Sequence, residues 1–371
     1  MITRMQPTFA RGIRRVLGSP LVEALAVPHG VERYLEAMNP SWSIKAVKAA
    51  VVAVRHETAD SVTLTLKPNS LWQGFRAGQF VRLTVEINGV RHTRCYSPAN
   101  SVRAKAGLIE LTAKAHATGF VSKWLHQNAR PGMVVTLSQA DGQFALPDQR
   151  PDRVLLISGG SGITPVMSML RTLCDEGHKG RITFLHYSNA AKDVIYAAEL
   201  TKIAALYPNV ELLRACNEPD QGGELEGMFS REQLTRAVPD YAEAQAFLCG
   251  PPGMMKVVQQ LWAEDGLNDR LHLEHFTAAP ALIDSASAEG EVRFARSERL
   301  AINNGATLLD QAEAAGLKPE AGCRMGICHT CTCRKTAGKV RDTRTGEISD
   351  SGEQDIQICI SVPVGTVTLD I

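Results

Sequence analysis

No stretch of these 371 residues runs to about 18 uninterrupted apolar side chains, so the sequence offers no candidate transmembrane helix. Nor is there a surplus of one charge. Forty Lys and Arg stand against 39 Asp and Glu, a net of +1, which removes any global electrostatic reason to expect nucleic acid as a partner. The nine cysteines are an odd number and do not read as a secreted disulfide framework, so a reducing cytoplasm is the natural setting. The Gly-x-Gly-x-x-Gly fingerprint is also missing: in the one glycine-rich run that comes near it, Pro165 stands where the last glycine would be. The N-terminus makes a poor signal peptide. Four arginines (Arg4, Arg11, Arg14, Arg15) precede an apolar segment, 21–27, that is short and broken by Glu23. Those arginines read either as a solvated end or as a patch resting on anionic lipid or on a membrane-bound partner.

What is present is the composition of an ordinary globular chain, 44% hydrophobic and 21% charged, with room for two or three domains. Residues 1–43 read as a helical extension broken at Pro28, Gly30 and Pro40. From 44 to 147 the texture is β, with short alternating runs between turn residues and one helix near 119–127, which suggests a small antiparallel barrel. From 148 to 277 buried strands alternate with amphipathic helices, the pattern of a doubly wound parallel sheet. Residues 278–290 are small and polar and read as a linker. The remainder, 291–371, holds short strands, a helix near 307–315, a cysteine-rich loop and a final strand.

Four constellations carry chemistry. Cys323, Cys328 and Cys331 are spaced Cys-x4-Cys-x2-Cys, and Cys359 follows after a long gap. Plant-type 2Fe–2S clusters use this spacing, whereas a four-cysteine zinc site pairs two short knuckles. Gly322 and Gly326 give the loop the backbone freedom to wrap sulfide, and Cys333 reads as a small apolar side chain rather than a ligand. The second is Arg94-Cys95-Tyr96-Ser97 on a barrel strand, with Gly119-Phe120-Val121-Ser122 opening a helix about 25 residues later. A flavin needs an aromatic neighbour, a cation at its phosphates and a hydrogen bond at N5, and these residues can supply them. The third is the run from Gly159 to Pro165 after a buried strand, read as a nucleotide turn with Thr164 as helix N-cap and Pro165 at the first helical position. The fourth is Cys249-Gly250-Pro251-Pro252-Gly253, where the chain turns at the carboxyl edge of the sheet and ligands bind in such folds.

Together these motifs resemble the ferredoxin–NADP reductase superfamily with a plant-type ferredoxin fused at the C-terminus, over residues 44–371. The resemblance implies three parts: an antiparallel FAD-binding β-barrel, a parallel-sheet nucleotide domain and a C-terminal β-grasp ferredoxin domain. Arg94 then resembles the flavin-diphosphate arginine, Tyr96 the residue against the isoalloxazine and Ser97 the N5 neighbour. Gly119, Val121 and Ser122 look like the second phosphate segment. Gly160, Gly162 and Thr164 resemble the pyridine-nucleotide turn, Cys249, Gly250 and Pro251 the nicotinamide side, and Phe276 the aromatic that closes over the flavin. Ser97, Cys249 and Phe276 are the expected catalytic contacts. Ser188 and Lys192, with Arg214 as a further candidate, stand where a 2′-phosphate would be held. Nothing acidic before Asp193 is placed to hold a free ribose diol, which favours NADPH over NADH.

The implied activity is passage of electrons from NADPH through FAD and the cluster, one at a time, to an oxygen-activating partner. The 1–43 region looks like that of bacterial reductases serving membrane acyl-CoA desaturases, which implies a cytoplasmic chain, peripheral at the inner membrane. A ring-hydroxylating oxygenase or an alkane hydroxylase is the alternative acceptor. A redox-sensing binding protein is the alternative of a different class.

Overall fold

The computed structural model describes residues 17, 19–27, 29–104, 107–116, 119–218, 222–276, 288–322, 324–326 and 329–371. The first 16 residues of the expected extension, most of the expected linker, and Cys323 and Cys328 lie outside that set. The chain divides into two compact units. The larger takes residues up to 92 and 96–274, and the smaller takes 275–371 together with the stretch 93–95. Among the described residues no helix is long and apolar enough to cross a membrane.

The extension forms two short helices, α1 (Pro20–Leu25), capped by the Ser19 hydroxyl, and α2 (Gly30–Met38). Its carboxylates are turned towards the chain that follows. Glu32 accepts from the backbone N–H groups of Ile44 and Lys45 at 2.8 and 2.9 Å, while Glu23 pairs with Lys45 at 3.1 Å and Glu36 with Lys48 at 2.8 Å. Being exposed, these ion pairs are screened by water and contribute little to stability. With those charges used internally, Leu25, Val27 and Met38 are left more than 70% exposed.

The barrel part contains β1 (Val47–Thr58), β2 (Ser61–Pro68), β3 (Val81–Ile87), β4 (Val90–Tyr96), β5 (Ile109–Lys114), α3 (Phe120–Asn128) and β6 (Val134–Leu137), with sheet order β4-β3-β6-β1-β2-β5. Alternation along β1 and β3 turns Val47, Ala49, Val51, Val81, Leu83 and Val85 into one core, and α3 adds Val121 and Leu125 to it. The four-residue β6, too short to stand out by hydropathy, pairs with both β1 and β3.

The second sheet is wholly parallel: β7 (Arg153–Gly159), α4 (Ile163–Asp175), β8 (Arg181–Ser188), α5 (Ala197–Leu206), β9 (Val210–Cys216), β10 (Leu225–Glu226), α6 (Arg231–Ala237), β11 (Gln245–Cys249), α7 (Pro252–Glu264) and β12 (Leu271–Glu274). Its order is β10-β9-β8-β7-β11-β12, so the winding reverses between β7 and β11. That reversal opens the crevice in which such sheets bind ligands. Helices α4 and α5 cover one face, α6 and α7 the other. A buried clamp ties this sheet to the barrel. Arg171 on α4 donates to Glu199 at 2.7 and 2.6 Å, to Glu110 of β5 at 3.0 Å and to the carbonyl of Ala99 at 2.8 Å, and lies 4.8 Å over the Tyr196 ring. A cation removed from water needs this degree of pairing, and truncating such a partner commonly costs about 3–5 kcal/mol.

The smaller unit holds β13 (Glu291–Phe294), β14 (Arg299–Ile302), α8 (Leu308–Ala314), β15 (Thr332–Asp342), β16 (Gln354–Gln357) and β17 (Ser361–Leu369), in the order β14-β13-β17-β15-β16. One pairing, β13 with β17, is parallel and the rest are antiparallel. Helix α8, capped by Thr307, packs Leu308, Leu309 and Ala312 on the sheet. The three-part fold expected from the sequence is the one observed.

Candidate functional site

Strand β4 carries the flavin motif. Ser97, just past its end, is 1% exposed, and its hydroxyl has no hydrogen-bond partner among the described residues. A buried hydroxyl left unpaired costs about 1–3 kcal/mol, and this one fits a site where a bound flavin would accept its proton. Tyr96 is half-buried against the barrel core, and Arg94, also half-buried, donates to the Thr93 carbonyl at 2.7 Å. The N-cap of α3 is Gly119, and among the described residues no side chain caps the helix. Its first-turn N–H groups are therefore open to a phosphate. A Cβ at Gly119 would meet Ser122 Oγ, a contact that rotation of the hydroxyl would relieve. Val121 is 1% exposed in the barrel core, which leaves only its backbone to face a ligand. These groups fit a flavin diphosphate.

At the reversal of the parallel sheet, the third and fourth motifs meet. Gly160 adopts φ +53°, and the three-residue 3-10 turn 160–162 feeds directly into α4. A Cβ on Gly162 would run into the backbone carbonyl of Cys249, and one on Gly159 would meet Pro251 Cδ at 2.6 Å. The two edges close on each other through glycines. The helix start departs from expectation. Gly162 is the N-cap, and Thr164 and Pro165 lie inside the first turn, where Thr164 donates to the Ser161 carbonyl at 3.3 Å. The 3-10 turn has moved the helix start upstream, and Pro165 is tolerated because first-turn N–H groups have no intrahelical partner. Cys249 is fully buried, and burial, with Glu274 as a second cause, pushes its thiol well above the usual range. Burial thus favours the neutral thiol over the thiolate. Glu274, given no role from the sequence, stands in register with Cys249 and is 8% exposed.

Further along that edge, Ser188 gives its one proton to the carbonyl of Ala190 at 3.0 Å and is 6% exposed. A phosphate here would compete with that carbonyl for the hydroxyl proton. Arg214 is held by both oxygens of Glu224, at 2.7 and 3.2 Å, while Lys192 sits exposed on a one-turn 3-10 helix. Phe276, just past β12, is half-buried and groups with the smaller unit.

Beneath the glycine turn, His186 Nδ1 lies 2.8 Å from Ser158 Oγ, and its Nε2 has no partner among the described residues. Burial, with the Lys114 charge as a lesser cause, pushes this histidine down to about 3 from 6.5. The unfolded chain takes up a proton below pH 6.5 that the folded one refuses, so stability falls as pH drops from about 6.5 towards about 3. At pH 5 this group alone should cost ~2 kcal/mol relative to pH 7. Denaturant melts of wild type and His186→Asn at both pH values check this, and the variant should lose that part of the acid sensitivity.

In the smaller unit, Cys331 and Cys359 are each 3% exposed within the core. The loop before Cys331 holds Arg324 at φ +59°, Gly326 at +73° and His329 at +54°. A left-handed backbone at these three positions makes sharp local turns of the kind that wrapping a cluster requires. A Cβ on Gly326 would press on Ile360, and Arg344 donates to its carbonyl at 3.0 Å. Arg324 pairs with Glu313 of α8, which anchors the loop. Cys333 is half-buried and its thiol is pushed up to about 11 by burial, in keeping with an apolar filler. Two buried soft donors in a dry core fit an iron–sulfur cluster.

Comparison with known proteins agrees with this geometry. An oxidoreductase FAD-binding domain matches residues 48–146, an oxidoreductase NAD-binding domain residues 156–260, and a 2Fe-2S iron–sulfur cluster binding domain residues 294–364. The chain is 37% identical over 342 residues to an NADPH oxidoreductase of Mycobacterium tuberculosis, covering 91% of this chain and 88% of that one. It is 33% identical over 321 residues to a glycine betaine monooxygenase reductase subunit of Chromohalobacter salexigens, covering 80% and 87%. The solved structure of phthalate dioxygenase reductase shares the fold, with TM-score 0.63 at 20% identity over 88% of this chain and 98% of that one. The chain therefore belongs to the ferredoxin–NADP reductase-type oxidoreductases, in the arrangement that joins an FAD-binding domain, an NAD-binding domain and a C-terminal 2Fe-2S domain.

Proposed function

We propose that this oxidoreductase takes its electrons from NADPH and delivers them singly to an oxygen-activating iron protein at a membrane surface, a fatty acyl-CoA desaturase being the first candidate. The bound flavin converts a two-electron donor into one-electron steps, and the 2Fe–2S cluster supplies the one-electron exit. The rest is the work of the chain. Arg94 and the α3 N-terminus would neutralise the flavin phosphates, Tyr96 would flank the ring, and the buried Ser97 hydroxyl would donate to N5. Gly160, Gly162 and Thr164 shape the turn that receives the nucleotide diphosphate. Cys249, Gly250 and Pro251 bound the nicotinamide, with the thiol as a neutral packing and hydrogen-bonding group. Phe276 would be the aromatic neighbour of the flavin that the resemblance implies. Cys323, Cys328, Cys331 and Cys359 hold the cluster. The observation that carries this reading is the closure of Gly162 on the Cys249 carbonyl, which joins the two nucleotide motifs into one crevice.

For the choice of NADPH, the exposed Lys192 is the cation offered to a 2′-phosphate, while Ser188 bonds to Ala190 and Arg214 to Glu224. Lys192→Ala should lower kcat/KM for NADPH by about tenfold and leave NADH nearly unchanged, as loss of one charge-assisted hydrogen bond implies. Equal effects on both nucleotides would remove Lys192 from the site.

The membrane acceptor is supported by the extension, whose carboxylates are used internally while Leu25, Val27 and Met38 face solvent behind an arginine-rich N-terminus. A second reading, a soluble oxygenase as acceptor, is favoured by the glycine betaine monooxygenase reductase subunits among the relatives. Product formation with a vesicle-embedded desaturase and with a soluble oxygenase, each driven by this reductase and NADPH, separates them. Turnover of the soluble enzyme alone would replace the first reading by the second.

A further inference from the structure

Two arginines lie against the loop that carries the first three cluster cysteines, and their charges are in opposite states. Arg324, within the loop, donates to Glu313 of α8 at 2.9 Å and stands 3.7 Å from Asp310 of the same helix. Its charge is met by two carboxylates. Arg344 follows β15 in a turn, and its guanidinium donates to the backbone carbonyl of Gly326 at 3.0 Å. Among the described residues it forms no ion pair. The nearest acid in sequence, Asp342, accepts instead from the backbone N–H groups of Arg344 and Thr345, at 2.7 and 3.2 Å.

This unanswered cation sits at a seam of the cysteine segment. Gly326 lies between Cys323 and Cys328 in the chain, and Ile360 directly follows Cys359. Thr343 N–H donates to the Ile360 carbonyl at 2.8 Å. Ile360 and the Arg344 Cδ both border the space that a Cβ on Gly326 would take. One short turn therefore ties the loop of the first three cysteines to the segment of the fourth, and it brings a positive charge with it. That charge stands at the edge of a core in which Cys331 and Cys359 are each 3% exposed. A charge at the edge of a dry core is screened less than one surrounded by water.

We propose that Arg344 raises the reduction potential of the cluster and so eases its single-electron reduction. The inference rests on the assignment of the four cysteines to the cluster. In that step the flavin loses one electron and the cluster gains one; no bond forms or breaks, and the guanidinium keeps its proton throughout. The cluster becomes more negative by one charge, so a fixed cation beside it favours the reduced form. Arg324 does not act in the same way, because Glu313 and Asp310 offset its charge.

The test is a redox titration of the full chain with flavin and cluster in place, following the EPR signal of the reduced cluster. Arg344→Gln, whose amide can still donate to the Gly326 carbonyl, should lower the equilibrium constant for electron uptake by about fivefold, or roughly 40 mV at 59 mV per tenfold for one electron. Arg344→Lys keeps the charge and should stay near the wild-type potential. Arg293→Gln removes a charge that Glu291 already pairs, at 3.3 Å on β13, and should leave the potential unmoved. A wild-type potential in Arg344→Gln would overturn the proposal. So would equal shifts in the Gln and Lys variants, which would assign the effect to the shape of the side chain. Loss of iron in Arg344→Gln would make the residue a support of the loop and overturn it as well. A wild-type chain that holds no iron would remove the cluster assignment itself, a result distinct from these.

Discussion

Replacing Cys359 by serine should stop electron delivery to a one-electron protein acceptor while NADPH-driven reduction of a two-electron dye continues. Cys359 is 3% exposed, between Ile358 and Ile360 in the core of the smaller unit. Its backbone is held on both sides, by Ile358 N–H to the Cys331 carbonyl at 3.3 Å and by Thr343 N–H to the Ile360 carbonyl at 2.8 Å. Serine is nearly isosteric, so the loop keeps its course, but a hydroxyl is a hard, weakly acidic oxygen where iron and sulfide need a soft thiolate. The loss in delivery should exceed the roughly 10–100-fold that removal of a mere supporting contact costs a metal site. Three readouts check this: iron content, reduction of the protein acceptor, and reduction of the dye. If the dye rate falls with the protein rate, the cysteine serves the fold. If iron is lost and delivery survives, the cluster is not on the path; if both survive, Cys359 is not a required ligand.

How far the sequence foretold the molecule depended on whether the signal was local. Cysteine spacing, alternation in β1 and β3, and the strand–turn–helix at Gly159 are written within a few residues of each other, and they are legible. Strand β15 was not. Its sequence is polar, and the residue it buries most completely is Lys335. That ammonium donates to the carbonyls of Gly338, Asp350 and Gly352, the last two brought to it from residues far along the chain. Hydropathy gives no sign of a lysine that will find three acceptors only after folding. Ser188 illustrates the converse. Its residue type and position suited a phosphate donor, but the local turn gave its proton to Ala190. The aromatic pair His92 and Phe120 joins residues 28 positions apart, and only the barrel reveals that they touch.

The glycines of the nucleotide turn are one motif in the sequence and two different devices in the structure, and substitution should separate them. Gly160 needs its backbone freedom. At φ +53° an alanine is strained, yet nothing lies within 4 Å of its Cβ, so Gly160→Ala should cost about 1–2 kcal/mol and leave a working crevice. Gly162 is the reverse. Its φ of −63° suits any residue, but a Cβ would enter the carbonyl of Cys249. Neither side can yield cheaply, because β7 and β11 are paired in register from Val154 with Gln245 to Ser158 with Cys249. Relief must come from prising apart the carboxyl ends of the strands where the nucleotide is to sit, or from twisting the turn. Overpacking of a close contact costs about 1–3 kcal/mol, and more where backbone is the obstacle. Because the distortion lies at the site itself, a shift of even 1 Å there can cost about 100-fold in the rate of reduction by NADPH. Gly162→Ala should thus lose most NADPH-dependent turnover at a stability cost comparable to that of Gly160→Ala, which should keep its turnover. Stopped-flow reduction by NADPH and thermal melts of the two variants distinguish these outcomes. Equal turnover in both would mean that the glycine turn and the Cys249 edge do not form a single crevice, and the hydride-transfer site would have to lie elsewhere.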